Sequence, residues 1–335
     1  MYTWNNTSGK ALAGTVKEEE MKYIDTLQDG MHVSGVYLCK TKTIALTKNG
    51  KEYGNITLQD KTGQLEAKIW DLNSPAIREF EAMDYVQVEG NVTIFNNANQ
   101  LNIHRIQVAS EGQYDPSDYF PVSEKDIDKM KEELLTLIRS VGNPYLQKLL
   151  ASYFEDPVFM KAFSRHSAAR SVHHGFIGGL LEHSLSVATI CDDIAGHYPY
   201  VNRDLLVTGA ILHDIGKLSE LSPFPMNEYT DAGQLLGHII IGAQMVSVRI
   251  SRIEGFPKKM ANELIHMILS HHGELEYGSP KKPAIMEALI LSFVDNMDAK
   301  VETMHEAIKN KPPVNADGWL GFNKLLDSNI RKTSE

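Results

Sequence analysis

Apolar and polar residues alternate along short segments in the first third of the chain. Between residues 31 and 109, five runs have the two-residue period of strands that bury one face, and β-branched residues are frequent in them. Turn-forming sequences separate runs at residues 48–51, 60–63 and 96–99. Short strands joined by such turns predict a small closed β-barrel in the N-terminal part of the chain.

The apolar period lengthens after residue 123. Apolar residues then recur every three or four positions, the spacing that places them on one face of an α-helix. The segments with this spacing predict seven helices, at residues 127–138, 144–154, 176–195, 203–216, 235–251, 257–272 and 284–308. The second part of the chain is therefore expected to be all-α.

Together the two patterns predict a two-domain α+β chain, with an N-terminal five-stranded barrel of the OB-fold type followed by an all-α helical domain. A polar stretch with two prolines separates the two patterns. The expected segments are a leader at 1–22, the barrel at 23–112, a linker at 113–125, the helical domain at 126–315 and a tail at 316–335. Because Met21 could also start translation, the sequence leaves the true start open.

The amino-acid composition limits the class of protein and the kind of metal site that the chain can form. With 42% hydrophobic and 23% charged residues, the chain has the composition of a globular protein, and a net charge of -10 argues against a protein that coats nucleic acid non-specifically. No apolar run is long enough to span a bilayer, and the start lacks an apolar signal segment, so a cytoplasmic protein without membrane association is expected. Two cysteines against thirteen histidines indicate that any metal is held by imidazole and carboxylate.

Histidines and aspartates of the helical part lie at the ends of predicted helices or on their apolar faces. Helices of a bundle can aim such groups inward, and imidazole nitrogen with carboxylate oxygen suits divalent ions. A lone histidine would more often be structural, but the order H…HD…D with further histidines favours a metal site. The candidate ligands are His183, His213, Asp214, His238, His271, His272 and Asp295.

The number of ions stays open from the residues alone. A carboxylate can bridge two ions whereas a neutral imidazole cannot, so Asp214 is the natural bridging ligand if the site is dinuclear. Two adjacent ions are suited to phosphoryl transfer, because they stabilise both the attacking and the leaving oxygen.

The barrel segment has candidate nucleic-acid contacts. Residues 30–51 contain four lysines and no acidic residue, and three aromatic residues lie nearby. OB-folds hold single strands with a basic face and aromatic stacking surfaces, although such rings could equally belong to the core and such lysines to a solvated surface. The candidates are Tyr37, Lys40, Lys42, Lys48, Lys51, Tyr53 and Trp70.

The ordered residues and the HDIGK run resemble the HD superfamily of metal-dependent phosphohydrolases, and the additional histidines resemble its dinuclear members. In order along the chain, HHGFIGGLLEH, NRDLLVTGAILHDIGKLSEL, YTDAGQLLGHI, HMILSHHGELEYGSPK and DNMDAK resemble YhaM-type 3′-to-5′ exoribonucleases. In that family an OB-fold precedes the HD domain, and the resemblance extends over residues 25–310.

The resemblance implies specific roles. A first metal ion would be held by His183, His213, Asp214 and Asp295. A second metal ion would be held by Asp214, His238 and one or both of His271 and His272. Asp214 and Lys217 would be the catalytic residues, with Lys217 facing the phosphate. The family favours manganese, with iron or magnesium as alternatives, and implies 3′-to-5′ exonuclease activity on single-stranded RNA that releases nucleoside monophosphates, with DNA left open.

Several alternatives stay open. His174 would contact substrate or line the cleft, or else be a surface or capping residue. Lys281 would bind a phosphate or lie in a solvated loop. A phosphohydrolase for a small nucleotide, with the barrel as a regulator, and a non-catalytic single-strand-binding protein are the rival functions. Large apolar helices also leave room for a homo-oligomer.

Overall fold

A computed structural model describes residues 22–96, 98–170, 174–310, 314 and 317–334. The expected leader, except Lys22, and His173 lie outside the described residues. The chain divides into two compact units, one ending at Tyr119 and one beginning at Phe120. Among the described residues, no helix is long and apolar enough to cross a membrane.

The first unit is a closed five-stranded barrel, as the alternating pattern predicts. The strands follow the order β1-β2-β3-β5-β4, and β1 pairs with β4 to close the barrel. All neighbouring strands are antiparallel except β3 and β5, which run parallel. The strands are β1 (His32–Leu46), β2 (Glu52–Asp60), β3 (Gly63–Ile69), β4 (Tyr85–Phe95) and β5 (Ala98–Val108).

The barrel interior follows the two-residue period over most of its length. In β2, for example, every second residue from Gly54 to Asp60 is buried. The rule fails in β1, where residues 37–39 are all buried. In this part of β1, segments from outside the barrel contact the strand. The Tyr37 hydroxyl donates to the Lys22 carbonyl, and the Tyr119 hydroxyl donates to the Val36 carbonyl.

The second unit is built mainly from helices, as predicted. They are α1 (Ile127–Arg139), α2 (Pro144–Phe154), α3 (Pro157–Arg165), α4 (Gly179–His197), α5 (Arg203–Leu212), α6 (Lys217–Glu220), α7 (Asp231–Ile250), α8 (Lys258–Ser270) and α9 (Met286–Asn310). Two of these, α3 and α6, were not predicted. The helix α3 has nine residues and begins after an Asp156 cap with proline in the first turn, whereas α6 has only four residues and therefore too few for a periodic signal.

The helices α4 and α5 form the centre of this unit. Nearly all of α5 is buried, from Leu205 to Leu212, and most of α4 is buried around its first three turns. A helix that is apolar on all sides is expected only inside a core, and here α1, α2, α3, α8 and α9 pack around the pair. Polar residues at the ends or on the faces of these two helices are consequently held in buried positions.

The segments on either side of the helical domain differ from the expectation. The predicted linker 113–125 is divided between the units: Tyr114 stacks on Tyr85 of the barrel, and Ser123 donates its backbone N–H to Ile177 of the helical unit. The expected tail contains a hairpin of β6 (Trp319–Asn323) and β7 (Ser328–Arg331). These strands have four or five residues and contain Gly321, so they give little periodic signal.

Candidate metal centre and nucleic-acid interface

The metal-ligand candidates come together where helices of the second unit end. His213 is the residue after α5, with Asp214 beside it, and His271 is the residue after α8. His183 on α4 and Asp295 on α9 reach that place from the neighbouring helices.

Four candidate ligand atoms lie close together, with three of them grouped around His183 Nε2. His183 Nε2 lies 3.2 Å from His213 Nε2 and 3.1 Å from Asp295 Oδ1. Asp214 Oδ2 lies 3.5 Å from His183 Nε2 and 3.4 Å from His213 Nε2. All four residues are buried. Two imidazole nitrogens and two carboxylate oxygens at these separations form a ligand set suitable for one divalent ion.

The other oxygen of Asp214 faces a second set. Asp214 Oδ1 lies 3.5 Å from His238 Nε2 and 3.7 Å from His271 Nε2. His238, His271 and His272 each offer a nitrogen to a common position. The two oxygens of one carboxylate therefore point into two neighbouring ligand sets, which is the arrangement expected of a bridging aspartate.

Two glycines allow this approach. A Cβ atom on Gly216 would lie 2.0 Å from the His238 carbonyl oxygen, so only glycine lets the loop after Asp214 touch α7. Gly237 has a φ of 71° and kinks α7. The kink frees the backbone N–H of His238, which donates to Glu220 at 2.9 Å.

Every histidine of the cluster is oriented through its Nδ1 atom. Because each acceptor is an oxygen, each Nδ1 must carry a proton, so Nε2 is the nitrogen that each ring can offer to a metal. The acceptors are Asp298 for His183 at 2.7 Å, Ala210 O for His213 at 2.7 Å, Glu220 for His238 at 3.0 Å, Ile268 O for His271 at 2.7 Å and Tyr277 O for His272 at 2.8 Å.

Asp298 and Glu220 orient two candidate ligands, His183 and His238, and the sequence patterns did not identify either acid. Asp298 also accepts from Ser186 and lies 3.3 Å from His174 Nε2, so it connects a metal-ligand candidate to a second histidine. Asp298 lies in the DNMDAK run, one turn after Asp295 on the same helix, and this spacing is a signal that could identify it. Glu220 carried no comparable signal, because its role depends on the kink in α7.

Buried polar atoms without hydrogen-bond partners indicate that a cation binds in the second ligand set. Within the described part of the chain, Asp214 Oδ1, His238 Nε2 and His271 Nε2 are buried without a hydrogen-bond partner. A buried carboxylate oxygen and two imidazole nitrogens without donors would each be unfavourable in a structural core. A metal ion bound between them would satisfy all three, so the residues of this second set fit a metal ion.

The charges of the cluster agree with this assignment. Burial would lower the pKa of His183, but hydrogen bonds to Asp295 and Asp298 outweigh it and raise the pKa to about 9. A proton is thus strongly attracted to the point where those carboxylates converge, and a divalent cation would be attracted there too. Burial lowers the pKa of His271 and of His272, which leaves both imidazoles neutral and available as ligands at neutral pH.

Lys217 forms a buried ion pair with the proposed bridging residue. Its Nζ lies 2.8 Å from Asp214 Oδ2. Burial favours the neutral forms, yet the attraction between the two groups prevails, lowering the pKa of Asp214 well below its usual value and raising the pKa of Lys217. Both groups are therefore charged over the physiological pH range.

A cavity of about 570 Å³ opens onto the cluster. His183, Asp214, Lys217, His272 and Asp295 line one part of it. The remainder of the lining includes His174, Tyr277, Lys300 and residues 325–327 between the hairpin strands. The volume is typical of a site for a ligand of nucleotide size.

The predicted contacts outside the metal cluster have different outcomes. His174 is buried and lines the cavity, and its role stays a prediction. Lys281 is exposed and lies near His266, and it is not among the residues that line the cavity.

Most of the candidate nucleic-acid contacts in the barrel are exposed, whereas one lysine is bonded to other residues of the barrel. Trp70 is 47% exposed and stacks on Tyr53 with ring centroids 5.1 Å apart. Lys40, Lys48 and Lys51 are exposed. Lys42 instead donates to the Phe80 carbonyl and pairs with Glu81 at 3.4 Å.

Tyr37 must be removed from the set of stacking residues. Its side chain is fully buried in the barrel core, and burial raises the pKa of its hydroxyl. A ring that no solvent reaches cannot stack on a base, so its place in a strand of the basic segment was misleading.

Comparison with models of protein families matches residues 180–300 to the HD domain and residues 38–109 to an OB-fold nucleic acid binding domain. Among solved structures, the second OB-fold domain of replication protein A from Methanococcus maripaludis is 18% identical, covering 28% of this chain and 100% of that one, with a TM-score of 0.23.

A replication factor A related protein from Methanobacterium thermoautotrophicum is 20% identical, covering 28% of this chain and 93% of the other, with a TM-score of 0.22. An aspartyl tRNA synthetase from Entamoeba histolytica is 13% identical, covering 41% of this chain and 42% of the other, with a TM-score of 0.23. The chain therefore joins an OB-fold nucleic acid binding domain to an HD domain, a pairing consistent with the YhaM-type architecture and with a nucleic-acid-binding hydrolase.

Proposed function

We propose that the chain is a metal-dependent 3′-to-5′ exonuclease that hydrolyses single-stranded RNA to nucleoside monophosphates. The observation that supports this most directly is the shared carboxylate of Asp214, whose two oxygens face two separate sets of imidazole and carboxylate ligands. Phosphodiester hydrolysis is the chemistry to which such paired sites are suited.

The first set of ligands, including His183, His213 and Asp295, would hold one ion, and His238, His271 and His272 would hold the other, with Asp214 between them. When bound, divalent ions supply a nucleophilic water at neutral pH and neutralise charge on the phosphate. The donor set suits manganese, and iron or magnesium are the alternatives.

Lys217 supplies a fixed positive charge beside the reacting phosphate. Its ammonium group lines the cavity, and the neighbouring Asp214 keeps it protonated. A preorganised cation in a buried site stabilises the charge that develops on the phosphoryl oxygens in the transition state.

The reaction requires one bond to form and one to break. A water oxygen attacks phosphorus of the terminal phosphodiester, and the bond from phosphorus to the 3′-oxygen of the penultimate nucleotide breaks. That oxygen takes up a proton, and the terminal nucleotide leaves with its 5′-phosphate. The cavity volume of about 570 Å³ is large enough for this terminal unit.

The barrel is the proposed binding site for the single strand. The stacked pair Tyr53 and Trp70 offers an aromatic surface, and Lys68 Nζ lies 5.5 Å from the centre of the Tyr53 ring. Stacking on aromatic rings with nearby cations binds bases without sequence preference. Exposed Lys40, Lys48 and Lys51 would contact the phosphate backbone.

The test is a time course with 5′-labelled single-stranded RNA, with and without manganese, for the wild type and Asp214→Ala. Asp193→Asn is the control, because Asp193 is exposed on α4, the helix that holds His183. We expect a ladder that shortens from the 3′ end only with metal, unchanged in the control and absent in Asp214→Ala. An intact substrate under all conditions would exclude the proposal, and an RNA with a blocked 3′ end tests the polarity.

A second candidate is a phosphohydrolase that acts on a small nucleotide. The cavity is compatible with this function, because its volume would accept a free nucleotide as well as the end of a strand. Rapid metal-dependent turnover of mononucleotides together with intact oligonucleotides would establish this alternative. Binding of RNA without any metal-dependent cleavage would instead indicate a non-catalytic single-strand-binding protein.

A further inference from the structure

The outer face of α9 is covered with large apolar side chains. Six of them are exposed and follow one another at intervals of three or four residues, which places them in a single stripe along the helix. The stripe consists of Met286, Leu289, Phe293, Met297, Val301 and Met304. The opposite face of α9 packs into the core through Ala288, Leu291 and Val294 and positions Asp295.

The stripe is large for the surface of a monomer. Phe293 is 67% exposed and Val301 is 63% exposed, and the stripe extends about 27 Å along the helix axis at 1.5 Å per residue. The six side chains together expose roughly 600 Å² of apolar surface, at the upper end of what single soluble chains usually show. Two such stripes would bury about 1,200 Å², which reaches the range of specific protein interfaces.

The spacing of the stripe is symmetric about residue 295. Two antiparallel copies of α9 that cross at this level would place each residue opposite the one equally far on the other side. Met286 would face Met304, Leu289 would face Val301, and Phe293 would face Met297 of the second helix. Every large apolar residue of the stripe thus meets another, which is the self-complementary pattern of a two-fold symmetric interface.

Charges do not oppose this pairing. Lys300 is the one basic residue exposed between the ends of the stripe among the described residues, and it would face Ile290, which is partly buried. Its two copies would be separated by ten helical residues, or about 15 Å, which exceeds the screening length at physiological salt. The aliphatic part of Lys300 can cover apolar surface while its ammonium group stays in water.

We infer that the stripe on α9 is a homodimer interface, occupied by α9 of a second copy in the antiparallel orientation. The interface lies on the reverse side of the helix that supplies Asp295 and Asp298, and Lys300 borders both the stripe and the cavity. The dimer would therefore hold in place the helix that contributes ligands and a wall of the candidate active site.

The first test is the mass of the full chain by sedimentation velocity at micromolar concentration. We expect an assembly of at least two chains of 37.5 kDa, and a fall in mass for Phe293→Glu. Val158→Glu is the matched control, because Val158 is 77% exposed on α3, away from the stripe, and should leave the mass unchanged. Thermal melts establish that both variants are folded. A monomeric wild type, or an assembly that Phe293→Glu leaves intact, would overturn the inference.

A second test addresses the orientation. Leu289→Lys and Val301→Glu should each weaken the dimer, and an equimolar mixture of the two variants should restore it. In the antiparallel pair, one contact then joins lysine to glutamate and the symmetry-related contact keeps the native Leu289 and Val301. Failure of the mixture to associate, when each variant alone is monomeric and folded, would contradict the antiparallel arrangement.

Discussion

The two units of this chain present polar chemistry in opposite ways. In the helical unit, the cluster around Asp214 is buried, and each histidine is fixed by a hydrogen bond from Nδ1 while Nε2 faces the other ligands. In the barrel, Trp70 and three of the four candidate lysines are exposed and largely independent of one another. Groups that do chemistry must be held in place, whereas groups that bind a flexible strand need access. Single substitutions should therefore have large effects in the first unit and small effects in the second.

The largest effect is expected for Asp214→Asn. The amide keeps the shape of the side chain but loses the charge, and its NH₂ group cannot act as the second bridging oxygen. We expect hydrolysis to fall by roughly three orders of magnitude, since both ligand sets lose a member. The measurement is the initial rate on labelled RNA with manganese, with Asp193→Asn as the control. A variant that retains a tenth of the wild-type rate would show that Asp214 is not the bridging ligand.

The next effect separates the two ligand sets. In Gly216→Ala the new Cβ would lie 2.0 Å from the His238 carbonyl, so α7 must move and carry His238 away from Asp214. We expect metal content to fall from two ions per chain towards one, and the rate to fall by roughly 100-fold, because displacements of about 1 Å have such effects.

Gly196→Ala is the control for that measurement. Gly196 lies on α4, and a Cβ there meets nothing within 4 Å. Mass spectrometry of the bound metal distinguishes the outcomes. Equal loss of both ions in Gly216→Ala would show that the two ligand sets are not separable.

Asp298→Asn should have a smaller effect, because Asp298 acts through His183. The amide retains a hydrogen-bond acceptor but removes the charge that supports the imidazole. We expect metal affinity to fall about 10- to 100-fold, the usual effect of losing such a partner, and saturating metal to restore most of the activity. A titration of the metal-free protein with manganese measures this. Activity that excess metal does not recover would place Asp298 in contact with the substrate instead.

In the barrel, Trp70→Ala should weaken binding without changing the chemistry. Loss of one stacking surface is expected to raise the dissociation constant for single-stranded RNA about 10-fold. Cleavage at saturating RNA should stay near the wild-type rate. Fluorescence anisotropy with the metal-free protein gives the affinity, and Tyr200→Ala, at an exposed aromatic of the helical unit, is the control. An unchanged affinity would remove the Tyr53–Trp70 surface from the proposed interface.

The smallest effect is expected for Tyr37→Phe. The buried ring remains, and only the hydrogen bond from its hydroxyl to Lys22 O is lost. We expect the free energy of unfolding to fall by about 1 kcal/mol and RNA affinity to stay unchanged. Denaturant unfolding and anisotropy on the same preparation test both parts. A loss of affinity without a loss of stability would return Tyr37 to the binding surface.

The sequence predicted the fold to the extent that periodic patterns were long enough. The alternating pattern predicted the barrel, and the helical spacing of apolar residues predicted the second unit. The helix α6 and the hairpin β6–β7 are too short to show either pattern. Tyr37 was misjudged because it lies among lysines, although the two-residue period from Val33 through Tyr37 to Cys39 already assigns its side chain to the barrel core.

The candidate site was more predictable in its ligands than in their supports. A histidine followed by aspartate at a helix end, with more histidines in order, restricts the chemistry by residue type alone. Glu220 could not be found in this way, since its partner His238 is eighteen residues away and meets it only through the kink at Gly237. The supports of a site depend on tertiary contacts, which a single sequence does not contain.

The histidines that end α5 and α8 have a consequence for handling the protein. Each of His213 and His271 donates Nδ1–H to a carbonyl three residues earlier, one of the carbonyls that every helix end leaves without a backbone partner. The rings are thus oriented by the fold itself, unlike those of small domains that fold only around their metal. Chelation should strip the ions while leaving a folded chain. One preparation can then be emptied and reloaded with manganese, iron or magnesium in turn, so that the ions are compared on identical protein.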